Sequence, residues 1–260
     1  MRMEIAGVLA CATNGNAFMT APSTSLNGKR VVVIGGSTGV GLAVAEAALA
    51  EGASVVVGSS QTDKVDAAVK RLGKSASGVA VDVSDEASVA AFFDQVGAFD
   101  HLVFTAGDWG TSFFAPVRDI DIAAQQAGLA VRFWGALLAV KYGCRTIAQD
   151  GSITLTGGML AHRPMKGAPV VTAVAGAIEH LTVGLSLDIA PIRVNAVCLG
   201  MIGTDRTMEM PEGMLKMFTD RLPLPRIGDP AEAAQAYIYL MRGGYTTGQV
   251  VVVDGGGAVV

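Results

Sequence analysis

The sequence has few cysteines and few charged side chains, and both shortages exclude classes of protein. Its three cysteines, Cys11, Cys144 and Cys198, are odd in number and far apart, which gives neither a disulfide framework nor a zinc-binding spacing. Charged residues make up 16% of the chain and the formal net charge is -4. Such a surface is poorly suited to neutralising nucleic-acid phosphates. We therefore expect a cytoplasmic protein that has no metal site and does not bind nucleic acid.

Long apolar runs and a clear export signal are also lacking. No uninterrupted apolar run reaches the roughly 18 residues that span a bilayer. The apolar stretch from Ile5 to Ala12 is short, and only Arg2 supplies positive charge before it. We therefore expect no membrane association, a flexible N-terminal tail over residues 1–27, and one domain over residues 28–260.

Hydrophobic residues, in contrast, make up 51% of the chain, and they form short runs that alternate with helical patterns. Runs rich in β-branched residues predict strands that are buried on both faces. The seven expected strands are Arg30–Gly35, Ser54–Val57, Val79–Val83, Asp100–Thr105, Gly151–Thr156, Ile192–Cys198 and Gln249–Val253. This alternation predicts a single-domain α/β fold of the Rossmann type, doubly wound, in which helices cover both faces of a seven-stranded parallel sheet.

Two long helices and one irregular segment complete the pattern. The helices are expected over Ile122–Ala148 and Ala168–Ile189. Residues 201–225 are either a solvated loop or a substrate flap, and we favour the flap because long irregular segments in compact domains usually have a role. Methionines are well suited to pack on an apolar ligand, and this segment contains Met208, Met210, Met214 and Met217.

A glycine-rich loop connects the first strand to the first helix. Its sequence is Gly35-Gly36-Ser37-Thr38-Gly39-Val40-Gly41. Gly35 allows a tight turn, while Gly39 and Gly41 allow the backbone and the helix to approach a pyrophosphate closely. The helix N-terminus adds unpaired N–H groups and a favourable dipole. The loop therefore predicts a dinucleotide site formed by Gly35, Ser37, Thr38, Gly39, Val40 and Gly41.

The Gly-x-x-x-Gly-x-Gly spacing resembles the fingerprint of the short-chain dehydrogenase/reductase family. Further matches from Lys29 to Val260 are Asp82-Val83, Thr105-Ala106-Gly107, Arg193-Val194-Asn195 with Gly200 and Thr204, and Asp254-Gly255-Gly256. The resemblance implies that Asp82 and Val83 contact the adenine. It also implies that Thr105, Ala106, Gly107, Gly200, Ile202 and Thr204 border the cofactor. It further implies a homodimer or homotetramer that assembles through the long helices.

The end of the second strand indicates which nucleotide binds. An acidic residue there would bond the ribose 2′-hydroxyl and repel a 2′-phosphate. The segment Gly58-Ser59-Ser60-Gln61 has no acid, and the hydroxyls of Ser59 and Ser60 can bind a phosphate. NADP(H) is therefore favoured over NAD(H), although Lys64 is the nearest cation and no arginine is present there.

The residues that transfer protons in the family are missing. The resemblance implies an asparagine, a serine, a tyrosine thirteen residues after the serine, and a lysine four residues after the tyrosine. The aligned positions hold Arg132, Gly158, Val171 and Ala175. No other tyrosine can replace the lost one, since none of Tyr142, Tyr237, Tyr239 and Tyr245 has a lysine four residues later.

Three tentative catalytic residues remain near the expected pocket. Arg132 could bind a carboxylate or stabilise negative charge, or it could form a structural ion pair. His162 and Lys166 could donate a proton, or they could be exposed loop residues. Trp109 and Trp134 could line an apolar pocket, although Trp134 could equally pack in the core.

These features leave three functions open. The first is an NADP(H)-dependent oxidoreductase whose acceptor needs no tyrosine, such as an imine or iminium. The chain in this respect resembles a minor branch of the family that lacks the tyrosine and lysine, some members of which reduce imines or assist cyclisation. The second is an inactive nucleotide-binding protein. The third is a non-redox cyclase or isomerase. In each enzymatic case we expect a small-molecule substrate, apolar or cyclic.

Overall fold

The computed structural model describes residues 25–107 and 113–260. Their strands form one sheet with the spatial order β3-β2-β1-β4-β5-β6-β7. All six neighbouring pairs are parallel, so the carboxyl ends of the strands lie at one edge of the sheet. The strands are β1 (Arg30–Ile34), β2 (Ser54–Ser59), β3 (Ala76–Ala80), β4 (Phe99–Phe104), β5 (Ile147–Gly158), β6 (Arg193–Leu199) and β7 (Val250–Val253).

Helices cover both faces of this sheet, which confirms the predicted Rossmann-type architecture. They are α1 (Gly39–Ala50), α2 (Thr62–Leu72), α3 (Glu86–Val96), α4 (Ile122–Leu129), α5 (Gly135–Gly143), α6 (Pro169–Asp188), α7 (Asp205–Met208), α8 (Glu212–Thr219) and α9 (Pro230–Arg242). A π-helical turn, Ala130–Trp134, joins α4 to α5. Side chains of α1 and α9 pack on one face, and those of α3, α5 and α6 pack on the other.

The centre of the core is β1, whose apolar run is buried on both sides. Val31, Val32, Val33 and Ile34 are fully buried. Val31 and Val33 face α1 and α9, while Val32 and Ile34 face the opposite helices. Each such side chain contributes about 2 kcal/mol through burial. Packing against both helical layers therefore fixes the position of β1, and with it the start of the loop that follows.

The structure corrects the predicted position of the third strand. The sequence predicts Val79–Val83, but β3 spans Ala76–Ala80 and pairs with β2 from Val55 to Ser59. Beyond it, the Asp82 carboxylate accepts hydrogen bonds from the backbone N–H and the hydroxyl of Ser84, which turn the chain towards α3. Asp82 and Val83 therefore lie after the strand and not within it.

Two further boundaries differ from the prediction. The long helical region ends at Gly143 instead of Ala148, because Ile147 already pairs with Phe99 in the sheet. The fifth strand is consequently longer than predicted at both ends. Gly158 is its last residue.

The N-terminal tail and the flap also need correction. Leu26, which the sequence assigns to the tail, is only 1% exposed and packs with the α1–α9 core. The predicted tail up to residue 24 lies outside the described residues. Residues 201–225 are not irregular throughout, since they include α7 and α8. Met208 and Met217 are each 59% exposed, and the role of this segment as a substrate flap remains a prediction.

Among the described residues, one helix is long and apolar enough to cross a membrane by length and composition. This helix is α6, with a mean hydropathy of 1.6 over an 18-residue window. Glu179 and His180 interrupt the apolar run of this helix, so it still holds that no uninterrupted run reaches about 18 residues, and the lack of membrane association stays a prediction. In this fold α6 packs against β5 and β6, as core helices do.

Candidate nucleotide and reaction site

The predicted nucleotide residues meet at the carboxyl edge of the sheet. The first strand has β2 on one side and β4 on the other, so the chain order reverses there. Ligands of open α/β sheets bind at such a switch point. The expected cofactor residues follow β1, β2, β3, β4 and β6, and the fold brings all five groups to this edge.

The glycine loop is shaped by its contacts with the strands. Gly35 has a φ of +90°, and a Cβ on it would lie 2.5 Å from the Ala106 nitrogen. A Cβ on Gly41 would lie 2.2 Å from the Gly35 oxygen and 2.4 Å from the Thr105 hydroxyl. Gly41 is therefore required chiefly for packing of the helix on the loop and β4, in addition to the close phosphate approach that the sequence predicts.

The start of α1 fits a phosphate group. The Thr38 side chain makes no capping hydrogen bond, and the first turn contains no acidic residue. Backbone N–H groups at an uncapped helix N-terminus favour an anion. Ser37 is buried beside them. The residues present therefore fit the pyrophosphate of a nicotinamide dinucleotide.

Gly39 links the glycine loop to the predicted flap. Its φ is +54°, and a Cβ would lie 2.8 Å from Cγ2 of Thr204. Thr204 in turn caps α7, because its hydroxyl accepts from the Thr207 N–H. An open cleft of about 440 Å³ borders this contact, between α1, α2 and the start of α9. A change in the position of Thr204 would therefore displace Gly39 in the glycine loop.

The end of β2 carries no negative charge. Ser59 is its last residue, and Ser60 and Gln61 lead into α2. Gln61 makes no side-chain cap on this helix, and Lys64 is exposed in its first turn. In the turn after β3, hydrogen bonds from Ser84 lower the pKa of Asp82. Asp82, which the sequence predicts to contact the adenine, is therefore an ionised hydrogen-bond acceptor.

The loop after β4 is held from two directions. The Thr105 hydroxyl donates to the Ile34 oxygen at 3.2 Å, which fixes it to β1. Gly107 has a φ of +96°, and its carbonyl oxygen accepts from Arg132 Nη2 at 2.7 Å. Arg132 is half-buried and lies in the π-helical turn. Such turns are frequent at functional sites, and here the turn brings a cation to the loop after β4, which is predicted to border the cofactor.

The positions that the sequence aligns with the family's serine, tyrosine and lysine are apolar and closed. Val171 is 2% exposed, Ala175 is fully buried, and Gly158 is buried at the end of β5. Phe113, Leu160 and Ala168 pack around Val171. A Cβ on Gly128 would lie 1.9 Å from the Phe113 ring, so Phe113 requires glycine there. None of the three replacement side chains can transfer a proton.

A buried hydroxyl pair lies beneath this region. The Tyr237 and Thr156 hydroxyl oxygens lie 2.7 Å apart. The Thr156 hydroxyl donates its own proton to the Phe104 carbonyl oxygen, also at 2.7 Å. Tyr237 must therefore donate to Thr156. Burial raises the pKa of Tyr237, which keeps the phenol protonated. The sequence did not single out this tyrosine as functional, because no lysine follows it at the family spacing.

The three candidate catalytic residues are not brought together. Lys166 is exposed on the loop after β5, and Arg132 contacts the loop after β4. His162 Nε2 lies 2.9 Å from Oε1 of Glu179 on α6. Burial, together with Glu179, raises the pKa of the nearby Cys198 thiol to about 12. Glu179 and Cys198 were missed because they are distant from His162 in sequence.

The predicted aromatic lining is only partly described. Trp134 is 56% exposed and meets Phe133 edge-on, with ring centroids 5.1 Å apart. The alternative that Trp134 packs in the core is therefore wrong. Trp109 lies outside the described residues.

The Arg-Val-Asn segment proves to be structural. The buried Arg193 guanidinium donates to the backbone oxygens of Leu240, Met241 and Gly243, and so completes the C-terminal end of α9. Asn195 donates to the Thr246 oxygen and accepts from the Gln249 N–H. These bonds anchor α9 and β7 to β6, and Gly200 continues directly from that strand.

Comparisons with known proteins agree with this architecture. A family model described as enoyl-(acyl carrier protein) reductase matches residues 35–257. A short-chain dehydrogenase/reductase, ATR9 of Stachybotrys chlorohalonatus, is 34% identical, with 89% of this chain and 98% of that protein covered.

Two solved structures are similar in fold and sequence. A small-chain dehydrogenase in complex with NADPH has a TM-score of 0.77 and 34% identity, covering 90% of this chain and 100% of that one. MalC, a reductase/Diels-Alderase from Malbranchea aurantiaca, has a TM-score of 0.83 and 28% identity, covering 90% and 98%. Because the family model spans most of the chain and these relatives match along nearly their whole length, the chain belongs to the short-chain dehydrogenase/reductase family, a family of oxidoreductases that bind a nicotinamide cofactor.

Proposed function

We propose that the protein is an NADPH-dependent reductase whose acceptor needs no protein proton donor, with an iminium ion, or an imine that is already protonated before hydride transfer, as the substrate class. The observation that carries this proposal is the contrast between the two halves of the site. The phosphate end keeps an uncapped helix start and a glycine loop. The reaction end holds Gly158, Val171 and Ala175 where the family has its serine, tyrosine and lysine.

The chemistry follows from charge balance. The nicotinamide cofactor, when bound, supplies a hydride. Addition of hydride to the carbon of a C=N⁺ group gives a neutral amine, so no oxyanion forms and no proton must arrive at the same moment. A ketone, in contrast, becomes an alkoxide that needs a proton donor. The buried apolar side chains at the reaction end disfavour ketone reduction, because none of them can donate a proton to the alkoxide.

Arg132 adds one constraint on the substrate. Its guanidinium is fixed by the Gly107 carbonyl beside the cofactor loop. A cation there disfavours an iminium unless a carbonyl or carboxylate oxygen of the same substrate pairs with the guanidinium and offsets the repulsion. We therefore propose a substrate in which an oxygen function accompanies the C=N group. The exposed methionines of α7 and α8 favour an apolar or cyclic frame.

NADPH is proposed over NADH for two reasons. The end of β2 has hydroxyls and no acid, so nothing there repels a 2′-phosphate. In addition, a similar solved structure is described as a complex with NADPH.

A second candidate is ring closure without net reduction. It is favoured by the similarity to MalC, whose description names a Diels-Alderase activity alongside a reductase. Ring closure needs only that a diene and a dienophile are held together, so the lack of a proton donor at Gly158, Val171 and Ala175 does not oppose it. This candidate uses the same pocket but consumes no NADPH.

The deciding experiment has two stages. Titration with NADPH and NADH, followed by nucleotide fluorescence, establishes whether the cofactor site works. NADPH consumption is then followed with matched pairs of cyclic iminium ions and ketones. Faster oxidation with the iminium member supports the proposal, whereas equal or faster turnover of the ketone overturns it. Binding of NADPH without turnover of any acceptor would identify an inactive nucleotide-binding protein, and ring closure without NADPH oxidation would favour the second candidate.

A further inference from the structure

Three side chains from three different elements converge beside the closed reaction end. His162 comes from the loop after β5, Glu179 from α6 and Cys198 from β6. Their ligand atoms, one imidazole nitrogen, one carboxylate oxygen and one sulfur, all lie within 4.8 Å of one another. We infer that this trio, the His162–Glu179–Cys198 cluster, binds a divalent transition-metal ion of the zinc class.

The donor set matches that class of ion. Zinc takes sulfur, imidazole nitrogen and carboxylate oxygen at about 2.0–2.3 Å, so ligand atoms on one tetrahedral ion are about 3.3–3.6 Å apart. The His162 and Glu179 atoms are now 2.9 Å apart in a hydrogen bond. Side-chain shifts of about 1 Å would therefore convert the hydrogen-bonded trio into a coordination shell. A set that contains thiolate and imidazole selects against magnesium and calcium.

The elements that carry the cluster are well anchored. Cys198 is fully buried in β6 and pairs with Gly157 of β5. The Glu179 side chain is 13% exposed, and a Cβ on Gly157 would lie 3.9 Å from its carboxylate. His162, with a side chain 37% exposed, closes the cluster on the solvent side. Three protein ligands with one side open correspond to a metal site that keeps a position for water or substrate.

The position of the cluster relates it to the missing catalytic residues. Glu179 lies one helical turn beyond Ala175 on the same face of α6. His162 follows Gly158 by four residues, and Cys198 pairs with the neighbouring Gly157. The metal would thus lie next to the positions where the family has its serine and lysine. This inference rests on the cluster alone and stands whether or not the proposed reductase activity is found.

Cobalt titration of the chelator-treated full chain tests the site. Co²⁺ bound by a cysteine thiolate gives a charge-transfer absorption that Co²⁺ on oxygen and nitrogen ligands alone does not give. We expect that band to saturate at one equivalent, to disappear when Zn²⁺ is added, and to be lost in both Cys198→Ser and His162→Gln. Matched controls are Cys144→Ser and His180→Gln, since His180 lies on α6 next to Glu179 and its Nδ1 lies 3.0 Å from the Gly176 oxygen of the same helix.

Stability measurements keep the inference falsifiable if the buried Cys198→Ser variant unfolds. His162→Gln alters a surface side chain, so it should fold as the parent does. Zn²⁺ should raise the Tm of the parent protein and of His180→Gln, but not that of His162→Gln. Absence of the thiolate band in the parent overturns the proposal. So does a Tm shift that survives in His162→Gln, or a band that is lost in Cys144→Ser instead.

Discussion

The guanidinium of Arg132 donates a 2.7 Å hydrogen bond to the carbonyl oxygen of Gly107. The contact joins the π-helical turn between α4 and α5 to the loop after β4. The two residues are also packed together, since a Cβ on Gly107 would lie 2.9 Å from Cγ of Arg132. Of the four positions that the sequence aligns with the family's catalytic residues, Arg132 is thus the one that carries a charge, and that charge is held at the loop predicted to border the cofactor.

Replacing Arg132 by Ala should weaken NADPH binding by about tenfold, the effect of losing one charge-assisted hydrogen bond. The loop after β4 would lose the hydrogen bond that Arg132 donates to the Gly107 oxygen, and the anionic cofactor would lose a nearby cation. Arg132→Lys should recover part of the affinity because it keeps the charge. Fluorescence titration measures both, with the exposed Arg118→Ala as the control. An unchanged Kd in Arg132→Ala would reduce Arg132 to a structural role.

A single carboxylate at the end of β2 should reverse the nucleotide preference. In Ser59→Asp the new acid would repel a 2′-phosphate and accept from a ribose 2′-hydroxyl. We expect the ratio of NADH to NADPH affinity to rise by about tenfold or more, since like charges in contact cost at least about 1 kcal/mol. Ser59→Asn has the same shape without the charge and should leave the ratio close to that of the parent. A preference that Ser59→Asp does not move would place the 2′-phosphate elsewhere.

The fold was largely predictable because its signals are local. The β1 run is fully buried and reads as an uninterrupted β-branched segment, and the glycine loop follows it directly. The error at β3 has a physical reason. Val79, Val81 and Val83 alternate like a strand, but the Asp82–Ser84 hydrogen bonds turn the chain after Ala80. Side-chain hydrogen bonds of this kind compete with sheet formation and are hard to read from sequence.

The site was predictable in part only. The nucleotide residues follow strand ends, so the parallel topology places them together without further information. The His162–Glu179–Cys198 cluster and the Tyr237–Thr156 pair depend instead on contacts between elements distant in sequence. No spacing rule links residues on a loop, a helix and a strand. The contact of Cys198 with its partners becomes visible only once the register of β5 with β6 is known.

Removal of the Tyr237 hydroxyl should destabilise the protein by about 1 kcal/mol, the net contribution of one buried hydrogen bond. Thr156 would keep its bond to the Phe104 oxygen but lose the donor that it accepts from. Tyr239→Phe, two residues along α9 and 57% exposed, is the matched control and should be nearly neutral. Urea unfolding of Tyr237→Phe and Tyr239→Phe measures the difference. Equal stabilities would show that the buried pair contributes nothing net.

The protein should lose stability as the pH falls from 6.5 towards 4, and His101 should account for part of the loss. His101 is buried in β4, with Nδ1 2.9 Å from the Ser152 hydroxyl. Burial, reinforced by the positive charge of Arg193, lowers its pKa from 6.5 to about 4. Between these values the unfolded chain binds a proton that the folded chain does not, so acid favours unfolding.

The His101 contribution at pH 4.5 should be about 2 to 3 kcal/mol, because each pKa unit corresponds to about 1.4 kcal/mol. In His101→Gln the amide can still bond Ser152 but does not titrate. The variant should therefore show a decrease in unfolding free energy between pH 7 and pH 4.5 that is smaller by that amount. Urea denaturation at the two pH values measures it. The same decrease in His101→Gln and the parent would mean that carboxylates, such as the Asp100 that bonds Lys29 and the Arg30 N–H, account for the acid sensitivity instead.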